Sequence, residues 1–160
     1  MNNINKLQFD SLYLMGYIIK RAKELDIHGM NATKAQKLMY CCYGMLLATL
    51  DYRISNETPE AWQFGLVFPR TLRAMKEIGF ECYAKKYTLN LGSDLSDEVK
   101  SIIDDTLNYF GKYTASQLSI WSHLPNSPWA LASDQGKVLY EQMDDQAIKD
   151  YFNERVLTKQ

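Results

Sequence analysis

The sequence predicts a mainly α, compact single-domain helical bundle of about six or seven helices, with a small β element near residues 82–91. Three observations carry this. Apolar residues recur at three- and four-residue spacing through most of the chain. Ser, Thr or Asp stands just ahead of several of those segments, where a helix needs a capping oxygen. The 160 residues are 46% apolar and 23% charged, the balance of a globular domain able to bury a full core. There is no internal repeat, low-complexity tract or linker, so residues 1–160 read as one domain.

The first helix is expected over Leu7–Leu25. Leu14, Ile18, Ala22 and Leu25 form its apolar stripe, and Lys20, Arg21, Lys23 and Glu24 its polar side. Asp26–Met30, with Gly29, breaks it. Thr33-Lys34-Ala35-Gln36 has the pattern of a capping box and is expected to open the second helix. Leu38, Cys42, Met45, Leu46, Thr49 and Leu50 continue that helix. Tyr40, Cys41 and Tyr43 widen its stripe, which marks a central helix touched on several sides.

After the polar connector Asp51–Thr58, residues Pro59–Arg73 concentrate rings in a segment too irregular for one helix: Trp62, Phe64 and Phe68, with Gly65 between them. Pro69 suits the first turn of a short helix with Leu72, Met75 and Ile78 on one face, closed by Gly79. Cys82–Leu91, with Tyr83, Tyr87, Thr88 and Leu89, reads as a strand pair or extended loop.

Ser96 is expected to cap a helix whose buried face is Val99, Ile102, Ile103, Thr106, Leu107 and Phe110. Asp97 and Glu98 lie at its positive end and Gly111 at its stop. Thr114-Ala115-Ser116-Gln117 is a second capping box, followed by Leu118, Ile120 and Trp121 and ended by Pro125. Ser127-Pro128 opens a short turn through Trp129 and Leu131. Beyond a loop around Gly136, Asp144 or Asp145 caps a last helix with Ile148, Tyr151 and Phe152, and the tail beyond Arg155 is expected to fray.

Composition narrows function. A net charge of -1 and a pI near 6.1 argue against nucleic acid or anionic membrane as partner. No apolar run is long enough for a membrane span, and no cleavable leader is evident. Cys41, Cys42 and Cys82 form neither a disulfide framework nor a Cys-x-x-Cys metal pair, and read as free thiols of a cytoplasmic protein.

No catalytic constellation, cofactor motif or metal site is legible. His28 falls in a solvated turn. His123 ends a helix near Trp121 and Trp129, where a cationic or hydrogen-bonding role with the last carbonyls is expected. Asp104-Asp105 and Asp144-Asp145 are adjacent pairs whose side chains diverge, which favours solvated or capping roles over a metal. Arg70, Arg73 and Lys76 recur at helical spacing as a basic ridge beside the aromatic stretch. The three tryptophans are expected as core anchors.

The order of these signals resembles a known family. Thr33 to Tyr40 looks like its Leu-Gln-Lys-Leu-Leu-Tyr helix start. Glu60-Ala61-Trp62-Gln63-Phe64-Gly65 looks like its Glu-Ala-Trp-x-Tyr-Gly motif, followed by Val67 and Pro69 of a Pro-Val-x-Pro pattern. Leu118 to His123, then Pro128-Trp129, match its closing signature. Over roughly residues 10–152 the chain is similar to the Panacea antitoxin domain, also described as SocA-like and phage-associated GepA-like. Phe64 stands in place of the family's Tyr, and Leu66 in place of a Pro.

The resemblance implies a non-catalytic, cofactor-free antitoxin of a bacterial or prophage toxin–antitoxin system, which binds a cognate protein toxin encoded by an adjacent gene. The alternatives it implies are an adaptor that delivers a toxin to a bacterial protease, or a phage factor that binds a host protein. Phe64, Leu66, Phe68, Arg70 and Arg73 are the expected partner-binding residues. Tyr40, Trp62, Gly65, Pro69, Trp121, His123 and Trp129 are the expected structural signature.

Overall fold

The computed structural model describes residues 8–88 and 91–157. Among these, nine helices surround one another in a single core, with a three-stranded antiparallel sheet on its flank. Helix α1 (Ser11–Glu24) starts where the Asp10 carboxylate accepts the Leu12 N–H, and buries Leu14, Met15, Ile18, Ile19 and Ala22. Leu7, the expected first residue of this helix, lies outside the described residues.

Helix α2 (Ala32–Leu50) is the axis of the fold, buried at every position from Lys34 to Leu47. A helix surrounded on all sides needs apolar residues on all faces, which is why no single stripe describes it. Its cap is Asn31, whose side chain accepts the Lys34 N–H at 2.8 Å, and not the expected Thr33, which is exposed inside the first turn. The expected capping-box partner Gln36 is turned into the core, so it cannot reach back to the helix start.

Against α2 pack α1, α3 (Pro69–Ile78), α6 (Asp97–Phe110), α7 (Ala115–Ser122) and α9 (Asp145–Arg155). A Cβ on Gly44 would overlap the Phe152 ring, so the bare backbone of α2 lets α9 dock closely. Tyr40 meets that ring edge-on at 5.4 Å, and Phe152 meets Trp121 of α7 at 5.9 Å. The expected caps hold for three later helices. Ser96 accepts the Val99 N–H, Thr114 and Gln117 form the reciprocal box, and Ser127 accepts the Ala130 N–H ahead of α8 (Pro128–Ala132). Asp144 caps α9, while Asp145 accepts from the Tyr43 hydroxyl and the Arg53 guanidinium.

The expected β element near residues 82–91 is instead helix α4 (Phe80–Lys86), followed by the short α5 (Leu91–Asp94). These two elements account for the difference between seven expected helices and nine. Tyr83 and Tyr87, four residues apart, stack at 4.6 Å, and the Tyr83 hydroxyl donates to the Leu12 carbonyl of α1. Their spacing is helical, but the aromatic enrichment of the segment masks it in the sequence. Leu89, part of that expectation, lies outside the described residues.

The sheet lies elsewhere: β1 (Glu60–Trp62) and β2 (Gly65–Val67) form a hairpin inside the aromatic stretch, and β3 (Glu141–Gln142) pairs with the other edge of β1. No helix among the described residues is long and apolar enough to cross a membrane.

Candidate partner-docking site

The β1–β2 hairpin is mounted on the first turns of α2. Three polar side chains there, Lys34, Gln36 and Lys37, are buried, and each finds backbone partners far along the chain. Buried polar groups need such partners, because an unpaired one carries its full desolvation cost. The Lys34 ammonium donates to the carbonyls of His28 and Gly111, each at 2.7 Å, tying the α1–α2 turn to the end of α6. The Gln36 carbonyl oxygen accepts the Phe68 N–H at 2.7 Å, and its NH2 donates to the Thr71 hydroxyl. Lys37 donates to the Leu66 carbonyl at 2.6 Å. Burial lowers the pKa of both lysines, that of Lys37 to about 8.

Helix α7 holds the hairpin from the other side. The Ser119 hydroxyl donates to the Phe64 carbonyl at 3.0 Å. Gly65 has φ of 115°, and a Cβ there would lie 3.0 Å from Ser122 Oγ, 3.2 Å from Lys37 Nζ and 3.5 Å from His123 Nδ1. Both the backbone angle and the crowding require glycine. The His123 ring lies edge-on to Trp129 at 5.3 Å, and its Nδ1 is buried without a hydrogen-bond partner. The expected bond from this side chain to the last carbonyls of α7 is not made; the His123 backbone N–H meets them instead. The Trp129 indole N–H donates to the Trp62 carbonyl at 2.7 Å, and Trp62 meets Tyr140 edge-on at 5.2 Å.

This seat divides the expected partner-binding residues. Leu66 and Phe68 are fully buried, pinned through the backbone bonds to Lys37 and Gln36, and present no surface. Phe64, at the hairpin tip, is 75% exposed. Arg70 is exposed but engaged: its guanidinium holds the Asp10 carboxylate, and its backbone N–H donates to Glu57. That ion pair lowers the pKa of Asp10. Arg73 and Lys76, exposed on the next turns of α3, make no ion pair among the described residues and line a cleft of about 290 Å³ with Trp62 and Leu72. Around the hairpin and the segment that supports it, Ile120, Leu124, Leu131, Val138 and Tyr140 are also exposed.

Of the expected signature residues, Tyr40 and Trp129 are buried, and Trp62 and Trp121 are half-buried. Pro69 starts α3 as expected. The sequence reading missed Gln36, Lys37, Ser119 and Ser122. For Gln36 and Lys37 the available signal was polar residues inside a helix apolar on every other face; for Ser119 and Ser122, on the mixed surface of α7, there was none.

Ser122 Oγ donates to the Ser119 carbonyl, and the His28 side chain is solvated beside Asp26. Asp104 is held by two hydrogen bonds from Arg21. No group of three or more potential metal ligands occurs among the described residues.

The family model described as Antitoxin SocA-like, Panacea domain matches residues 36–130. The protein named Antitoxin SocA from Caulobacter vibrioides (strain NA1000 / CB15N) is 28% identical over 160 residues, spanning 89% of this chain and 82% of the relative. No solved structure matches the chain. The matched span opens at Gln36, closes at Ala130 and contains the residues that seat the hairpin, and on that match the chain belongs to the Panacea-domain family of SocA-like antitoxins.

Proposed function

We propose that this chain neutralises a cognate protein toxin by direct binding, and that the β1–β2 hairpin face is the surface that binds it. Family membership supports an antitoxin role and a protein partner, and by itself favours a non-enzymatic chain. The observation that carries the reading to a surface is the hairpin itself. Its tip ring, Phe64, is held out into solvent by a backbone fixed at both ends, through Ser119 on one side and Lys37 and Gln36 on the other. An exposed aromatic on a braced backbone loses little main-chain freedom on docking, which suits an interface anchor. Arg73 and Lys76, which line the cleft beside Trp62 together with Glu77, add a rim of net positive charge suited to an acidic patch on the toxin.

Co-expression with the product of the adjacent gene tests this. Restored growth together with a co-purifying complex is the expected outcome. Restored growth with loss of the toxin, dependent on a cellular protease, would replace sequestration by delivery to that protease. Persistent toxicity, or a harmless neighbour, would overturn the reading.

A further inference from the structure

A second site lies on a different row of α7 from the one that holds the hairpin. A pocket of about 310 Å³ opens between the ends of α6, α7 and α9. Its walls are aromatic: Tyr109 and Phe110 from α6, Tyr113 from the turn that follows, and Trp121 from α7. Phe110 and Trp121 are packed against each other at 5.3 Å, so the floor is fixed, while Tyr109 and Tyr113 are partly exposed at the mouth. Arg155, the last residue of α9, supplies the one charge among the described lining residues, none of which is a carboxylate.

Arg155 makes no hydrogen bond or ion pair among the described residues, in contrast to Arg21, Arg53 and Arg70, and the group its charge acts on is the neutral Tyr151 hydroxyl. A second cation stands beside the mouth, with the Lys112 ammonium over the Tyr109 and Tyr113 rings at 4.8 and 5.3 Å. The side-chain oxygen of Gln117 is used by the Thr114 N–H, so what remains of that amide is a donor. The lining therefore offers π faces, N–H donors and positive charge.

We propose that this pocket binds a small planar aromatic group bearing a carboxylate, the ring lying among Tyr109, Tyr113 and Trp121 and the carboxylate meeting Arg155. The volume lies at the small end of the range of about 300–1,000 Å³ for ligand sites, which suits one fused ring system. A guanidinium can pair with a carboxylate through two parallel hydrogen bonds, and its selectivity over a neutral amide is the signature of that pairing. The same chemistry is presented by a free aromatic acid and by a polypeptide chain ending in an aromatic residue.

The test is a titration of the full chain with indole-3-acetate and with its neutral counterpart indole-3-acetamide, followed by two-dimensional NMR. Saturable shifts at Tyr113, Gln117, Trp121 and Arg155, with the acid binding at least fivefold tighter than the amide, are expected. Arg155→Gln should remove that preference while leaving the amide's affinity unchanged. N-acetyl-tryptophan forms a third arm: tighter binding than indole-3-acetate assigns the pocket to a chain terminus, and weaker binding assigns it to a free acid. No saturable shift at millimolar probe, equal affinity for acid and amide, or an unaltered preference in Arg155→Gln overturns the proposal.

Discussion

The side-chain oxygen of Gln36 accepts the backbone N–H of Phe68, 32 residues away, at 2.7 Å, while its NH2 donates to Thr71. One amide near the start of the central helix thus sets where β2 ends and α3 begins. Replacing it with alanine leaves a buried N–H without an acceptor. Gln36→Ala is expected to lower stability by about 1–3 kcal/mol, measured by equilibrium denaturation. A loss of only a few tenths would mean that the junction is held by Pro69 and packing alone.

Gly65 combines a left-handed φ with three polar atoms 3.0–3.5 Å from the position a Cβ would take. Gly65→Ala should cost about 1–3 kcal/mol in backbone strain alone, with crowding in addition. Hydrogen exchange should show the loss concentrated in the hairpin. Uniform loss across the core would contradict a local role for this glycine.

Lys37 makes stability depend on pH in a direction that can be worked out. Its folded pKa, about 8, lies below the ordinary 10.5, because burial penalises the charged form. Between those values the unfolded chain holds more protons, so the Lys37 contribution to stability rises with pH. The buried thiols of Cys41 and Cys42 and the hydroxyls of Tyr40, Tyr43 and Tyr83 are shifted up, and act in the opposite sense at the alkaline end. Comparison with Lys37→Met isolates the lysine. Wild type should gain on the variant by about 1 kcal/mol per pH unit between pH 8 and 9.5. A difference independent of pH would place Lys37 in contact with solvent.

Arg70 and Arg73 separate folding from binding. Arg70→Glu sets a carboxylate against Asp10 and Glu57 and should lower stability by about 1 kcal/mol. Arg73→Glu and Phe64→Ser should leave the melting temperature unchanged and weaken the toxin complex about tenfold or more each, read by calorimetry with purified partners. Full affinity in both variants would move the docking surface away from the hairpin.

Thiol reactivity reports the same burial pattern. Cys82 is exposed, and Cys41 and Cys42 are enclosed in α2 with their thiols held protonated. A thiol reagent should modify one cysteine in the native chain and three after denaturation. Rapid modification of all three would show α2 to be open to solvent.

Much of the local structure was legible because its causes are local. The caps at Ser96, Thr114, Ser127 and Asp144, the proline starts at Pro69 and Pro128, and the stops at Gly79 and Gly111 each depend on residues within a turn of one another. The central position of α2 was legible too, since apolar residues on all sides admit no solvent face. The cap at Asn31 and the helix at Phe80–Lys86 were misread where two local signals competed. At the first, a capping-box pattern stood two residues too late. At the second, aromatic enrichment masked a four-residue spacing.

The sequence by itself determined the helical class, most helix ends and the irregular, aromatic character of the Pro59–Arg73 stretch. Only the tertiary structure decided how that stretch is disposed: it buries Leu66 and Phe68, exposes Phe64, occupies Arg70 and leaves Arg73 without an ion pair among the described residues. The reason is that these fates are set by partners 29 to 60 residues away, at Lys37, Gln36, Ser119 and Asp10. Helical periodicity is a property of a few neighbouring residues, whereas exposure at a hairpin is a property of whatever the rest of the chain brings against it.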